Sequence, residues 1–414
     1  MDEASFQARQ VIEALRTGVP THDAVRMLGA GQPELERKAD QLLQDVQTGR
    51  TRDAAGFIFN GGFGSGKSHL LEALAGRAIE QGFVVSRTVI SRNLPLQNPL
   101  PILFDLVSNT ESRTHKEDAL LNTMSDALFD LRSDLSGLRK WARKETDEGR
   151  LAPFFIASLN ALRQVAYGTS DFNTIIEYWS GANVPVSELN QLFRRCAPHI
   201  IDKKPPLAAE RPRQTVRFLA QLFLELGHPG WIILFDELEL IRLHGPVARG
   251  KAYAEIGRWF APGEFKSTPG LAAIGSITPD FVYAYIDATT PSGQADAAKV
   301  PMRMSLSAAN VASAQLAIDG MNFIVAQQEN VCERPDNERL AAIQLLIRRS
   351  YEQAYGCAVP ALPIDAQGAS DLKSIRTQIR RWITLWDLHR QGRFEEVEVG
   401  IVTPNPEDSV GDET

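Results

Sequence analysis

Eight consecutive residues, Gly61-Gly62-Phe63-Gly64-Ser65-Gly66-Lys67-Ser68, constrain this chain more than any other feature. They fit the pattern G-x-x-x-x-G-K-[ST], in which glycines let successive backbone N–H groups turn inward around phosphate oxygens where a Cβ would not fit. The apolar stretch Gly56-Phe57-Ile58-Phe59-Asn60 ahead of the glycines reads as a short strand. Behind them, Leu71, Leu74, Ala75 and Ala78 recur at helical spacing. The loop therefore opens onto a helix N-terminus, where unpaired N–H groups and the macrodipole favour anions. A β-branched run from Phe83 to Val89 reads as a second strand, and strand, loop, helix, strand implies a parallel sheet. Gly61 through His69 is the candidate nucleotide-binding loop, with Lys67 directed at the β and γ phosphates and Ser68 a ligand of Mg²⁺.

A second stretch, Trp231-Ile232-Ile233-Leu234-Phe235-Asp236-Glu237, is an apolar strand ending in two carboxylates, a Walker B pattern. Burial of the five apolar residues makes the strand central, so Asp236 is expected near the Mg²⁺ shell of Ser68 and Glu237 is the candidate base for a water aimed at the γ-phosphate. The adjacent glutamate favours hydrolysis over phosphate transfer to a substrate hydroxyl, as in a P-loop kinase. At the end of a further strand, Leu271 to Ile277, either Ser276 or Thr278 is a candidate for orienting that water. Arg376 and Arg380, four residues apart on a helix whose other face is Ile375, Ile379, Trp382, Ile383 and Trp386, are candidates for the transition-state charge. Lys299, Arg303, Arg249 and Arg258 are candidate fingers for a neighbouring subunit, and the sequence does not rank them.

The chain has 44 Lys plus Arg against 51 Asp plus Glu, a formal charge of −7, which excludes a uniformly basic nucleic-acid binder but leaves room for a local patch. Residues 132–217 carry 14 basic against 9 acidic side chains, including Arg139-Lys140-Trp141-Ala142-Arg143-Lys144. Those cations are candidates for tracking a phosphate backbone, with Trp141 a stacking platform. The alternatives for the same residues are a solvated helix face with one core-facing Trp, the more frequent use of such a mixture, and contact with a protein. The three cysteines are far apart, which fits a reducing compartment rather than a disulfide or zinc framework. The acidic start lacks an apolar core and no run approaches the roughly 18 apolar residues of a membrane span, so a cytoplasmic location is expected.

Periodicity and punctuation divide the chain further. Residues 1–50 read as an N-terminal helical module, with helices stopped at Gly18 and restarted at Asp23 and Pro33. Residues 51–110 and 215–310 form the α/β core, with strands at 231–235, 271–277 and 302–306. Residues 111–214 form a helical insertion, with runs around 120–131, 135–144, 156–167 and 187–197, and 311–392 a helical lid. Residues 393–414 form an acidic tail whose composition cannot bury much and is expected to be mobile.

Several stretches together, Val11 to Pro20, Gly31-Gln32-Pro33-Glu34, Gly61 to His69, Gly82 to Ser86 and Phe235-Asp236-Glu237-Leu238-Glu239, resemble the BREX-associated ATP-binding proteins of the BrxD-like type. The resemblance implies an AAA+-like ATPase of bacterial phage-defence islands, often encoded beside a large helicase, as in BREX variants and the Shango system. Carried over residue by residue, it places Lys67, Ser68, Asp236 and Glu237 in the nucleotide site. The resulting expectation is an AAA+-like P-loop core with a parallel sheet, N-terminal helical module, helical insertion and C-terminal lid. Its cofactors are ATP and Mg²⁺, and its partners a helicase or other defence protein, with DNA and a second copy of the chain as further candidates and no membrane. The rival expectation is a nucleotide-gated scaffold with little turnover of its own.

Overall fold

A computed structural model describes residues 3–18, 21–49, 56–116, 120, 122, 135–200, 202–261, 265, 268–287, 295–364 and 375–393. The helical run expected over 120–131 and the acidic tail expected from 393 lie almost entirely outside the described residues. Contacts divide the chain into two compact units, one comprising Met1–Gly31, Gly64–Gly66 and Arg334–Thr414, the other Gln32–Phe63 and Lys67–Glu333.

The chain opens with α1 (Glu3–Thr17) and α2 (His22–Leu28), both in the first unit. The second unit begins with α3 (Pro33–Gln47), which has proline in its first turn, and continues through β1 (Gly56–Asn60), α4 (Lys67–Glu80), β2 (Val84–Val89), α5 (Pro99–Ser108) and a two-residue β3 (Thr110–Glu111). Five helices follow: α6 (Ser136–Asp147), α7 (Pro153–Leu162), α8 (Ser170–Trp179), α9 (Val186–Cys196) and α10 (Arg211–Glu225). Then come β4 (Trp231–Asp236), a 3₁₀ segment over Leu238–Leu243, α11 (Pro246–Trp259), β5 (Leu271–Ile277), α12 (Asp296–Ser305) and α13 (Ala308–Ala326). The first unit resumes with α14 (Asn337–Tyr355) and α15 (Ile375–Arg390). No helix among the described residues is long and apolar enough to cross a membrane.

The sheet has the order β1-β5-β4-β2-β3, parallel throughout except for the antiparallel β3. Every residue of β1 and β5 is buried, as are the first five of β4, so these strands carry continuous apolar runs instead of alternation. The outer side of β1 is covered by the segment after α13. Asn60 N donates to Asn330 O at 2.8 Å, Cys332 N to Asn60 O at 2.7 Å, and Asn330 Nδ2 to Ile58 O at 2.8 Å, which satisfies an otherwise open edge. Gly56 is required at the start of β1, because a Cβ there would overlap the Ala273 carbonyl of β5.

One expected strand is corrected. Residues 302–306 alternate apolar and polar, but they fall in α12 and just beyond it, where Val300 and Met304 stack four residues apart and press on Gly250 of α11. A five-residue window satisfies both periods, and packing against α11 decides between them. The helices expected together over 1–50 are also divided: α3 lies in the second unit, α1 and α2 in the first.

In the first unit, Val11, Ile12 and Leu15 of α1 join Ile347 and Tyr351 of α14 and Ile383 and Trp386 of α15 in one core. Asp387 is its polar anchor. It is paired with Arg16 and accepts a hydrogen bond from the Tyr351 hydroxyl at 2.7 Å.

Candidate functional site

In a parallel sheet the C-terminal strand ends form the natural ligand edge. The β4–β5 register pairs Phe235 with Gly275, so the next residues, Asp236 and Ser276, emerge side by side. Ser276 Oγ donates to Asp236 Oδ1 in a short hydrogen bond, and Ser68 Oγ, in the first turn of α4, donates to Asp236 Oδ2 at 2.6 Å. The Glu237 backbone N donates to Asp236 Oδ1 at 3.0 Å. Both carboxylate oxygens of Asp236 are thereby fixed. A hydroxyl and a carboxylate at this separation are hard oxygen donors of the kind Mg²⁺ takes, so the donor set fits that ion.

Lys67 begins α4, and its Nζ donates to Gly61 O at 2.9 Å, folding back over the loop. Within the loop, Gly64 and Gly66 have φ of +74° and +101°, conformations that favour glycine and turn the backbone into a cradle. Phe63 is largely exposed, Ser65 is buried, and Gly62 and His69 are half-buried.

Glu237 has φ +57° and ψ +39°, left-handed for a residue with a side chain, and stands exposed at the turn between β4 and the 3₁₀ segment. Two residues on, Glu239 is buried, and its Oε2 has no hydrogen-bond partner among the described residues. Burial pushes the Glu239 carboxyl above its ordinary range, an effect that the positive charge of Lys67 opposes and the carboxylates of Glu237 and Asp236 reinforce. Sequence reasoning passed over Glu239 as a site residue. The available signal was a third acid behind the strand-end pair.

Of the two hydroxyls considered at the end of β5, Ser276 is the one bonded to Asp236. Thr278 lies past the strand and accepts at its carbonyl from Phe281 N at 3.2 Å. Arg376 and Arg380 lie in the first unit at the C-terminal end of α1. The aliphatic part of Arg376 lies against Gly18, and Arg380 donates to the carbonyls of Arg16, at 3.1 Å, and Thr17. Cations there complement the negative end of the helix. Among the finger candidates, Arg249 is held by Asp296 at 2.5 and 2.6 Å, and Arg258 is paired with Glu255 with both side chains buried. Lys299 is half-buried and Arg303 exposed on α12.

Residues 5–190 match the model of the family described as BREX system ATP-binding protein BrxC/D. This is the family that the sequence resembles. The BREX match contains the loop Gly61 to His69 and α6, and it ends before Asp236, Glu237 and Ser276. No curated protein and no solved structure matches the chain.

Proposed function

We propose that the chain binds and hydrolyses ATP with Mg²⁺ and uses the cycle to drive or gate a partner in a bacterial anti-phage system. The observation that carries this reading is the clamp on Asp236, held by Ser68 from the P-loop helix and by Ser276 from the neighbouring strand, with Glu237 projecting beside it. Lys67 leaves the Gly61 carbonyl for the phosphates, which replace a neutral acceptor with an anionic one. Ser68 and Asp236 hold the metal. When bound, Mg²⁺ offsets charge on the β and γ phosphate oxygens. Glu237 accepts a proton from the attacking water, and Ser276, through Asp236 and the Glu237 backbone, keeps that carboxylate in position. Thr278 has the weaker claim to this role. If a finger acts in trans, the active form is an oligomer. A helicase of the same system, or DNA, is what the cycle acts on.

The test is ATP turnover by the wild type and Glu237→Gln, each with and without duplex and single-stranded DNA. Loss of a base is expected to lower kcat by about 10²- to 10⁴-fold while ATP binding persists. Unaltered turnover in Glu237→Gln would remove the base assignment. Absence of wild-type turnover in every condition would favour the nucleotide-gated scaffold.

A further inference from the structure

Helix α6 buries Leu138, Ala142 and Glu145 on one side, with Trp141 packed against the same core. The expected stacking platform is therefore turned inward, as an indole three residues from Leu138 must be on a helix whose apolar stripe follows that spacing. The opposite face carries Arg139, Lys140, Arg143 and Lys144, and Arg163, at the end of the neighbouring α7, joins them around a cleft of about 730 Å³. The rest of the lining is Ser136, Asp147 and Glu148, and among the described residues no apolar side chain lines the cleft.

Three other basic residues of this region, Arg150, Arg195 and Arg211, are engaged internally, whereas Arg194, Lys203 and Lys204 lie outside the cleft. Arg150 is paired with Glu145 and Glu148, Arg195 with Asp171, and Arg211 stacks on Tyr178 at 4.0 Å and donates to two carbonyls. Lys140, Arg143, Lys144 and Arg163 have no ion-pair partner among the described residues. Lys140 stands three and four residues from Arg143 and Lys144, spacings at which like charges repel on a helix, and Asp147 and Glu148 at the end of the cleft offset only part of that positive charge. A protein partner would need an apolar centre to its interface, which this cleft does not offer, whereas a polyanion needs only charge.

We propose that the cleft between α6 and the end of α7 is a sequence-independent site for the phosphate backbone of a nucleic acid. Arg139, Lys140, Arg143, Lys144 and Arg163 make the contacts. Arginine forks grip phosphate oxygens in pairs and the lysines act as point charges. Bases are left unread, since the one aromatic residue of the helix faces the core. The site lies away from Asp236 and Lys67 in sequence, and the proposal stands or falls independently of ATP hydrolysis.

The experiment is fluorescence anisotropy of labelled duplex and single-stranded DNA of unrelated sequences with the full chain, from 50 to 200 mM salt. Five phosphate contacts give a duplex log–log slope near −4.5, or roughly 500-fold weaker binding across that range. Arg163→Gln alone is expected to reduce the slope by about 0.9, and Lys140→Gln with Lys144→Gln by about twice that. Arg195→Gln, at a paired site outside the cleft, is expected to leave it unchanged. These exposed positions should not affect folding, which the thermal midpoint of each variant checks. No binding at 50 mM salt, a slope untouched by Arg163→Gln, strong preference for one sequence, or tighter binding of polyglutamate than of DNA would each overturn the proposal.

Discussion

Glu237 combines a catalytic candidate with a backbone conformation that its side chain disfavours. A left-handed residue with a Cβ costs about 1–2 kcal/mol, and the turn into the 3₁₀ segment maintains it here. Comparing two variants that both lack the carboxylate isolates this effect. Glu237→Gly is expected to be about 1 kcal/mol more stable than Glu237→Ala in urea unfolding, with both equally impaired in turnover. Equal stabilities would mean that the backbone at this turn carries no such strain. At the residue scale the strand-end acids were legible because an apolar run ending in Asp236-Glu237 has few other uses. Which of Ser276 and Thr278 meets Asp236 was not, since it depends on the register that sets Gly275 opposite Phe235. Nor was the burial of Glu239, which results from the 3₁₀ segment folding back after β4.

At the scale of elements, the three apolar strands β1, β4 and β5 follow their sequence runs closely because both faces are buried and no alternation blurs them. Helix pairing is less legible, since it depends on which small residues meet. Helices α11 and α13 cross where Gly257 and Gly320 face each other's backbones. A Cβ on Gly257 would lie 2.5 Å from Leu316 O, and one on Gly320 would overlap Tyr253 O. Those obstacles are backbone atoms, which cannot swing aside as a side-chain end can. Gly320→Ala is therefore expected to destabilise the second unit by about 2 kcal/mol despite the better helix propensity of alanine. Chemical denaturation measures it, and a neutral or stabilising result would mean the helices separate at little cost. The packing of α11 against α12 shows why Arg249 was hard to interpret from sequence. Asp296, 47 positions away on α12, pairs with the arginine within the fold, and the Tyr253 hydroxyl donates to the same carboxylate at 3.0 Å.

At the scale of the whole chain, the first unit is assembled from both ends of the sequence, and Arg16 meets Asp387 across 371 positions. No local pattern reveals such a partnership; the sequence gives an amphipathic α1 and an amphipathic α15 without saying that they share a core. Burial alone would push the Asp387 carboxyl up, but hydrogen bonds from Arg16 and Tyr351 and the nearby charges of Arg16 and Arg390 more than offset it, so the group lies below its ordinary value of 3.8. A carboxylate held below its unfolded value stabilises the fold fully above that value and ceases to as pH falls through the lower, folded one. Asp387→Asn keeps the shape and removes the charge, so it is expected to cost about 2 kcal/mol at pH 7, within the range for hydrogen bonds to a charged group. Because the stabilisation comes from the ionised form, the gap between wild type and variant should stay flat from pH 7 to about 5 and narrow below 3.8. Unfolding is followed by tryptophan fluorescence in a background in which Trp141, Trp179, Trp231 and Trp259 of the second unit are replaced by Phe, so that Trp382 and Trp386, both buried in this core, report on the unit concerned. A gap that persists unchanged in acid would show that Asp387 acts through shape and packing, and that the charge of Arg16 contributes nothing to joining the two ends.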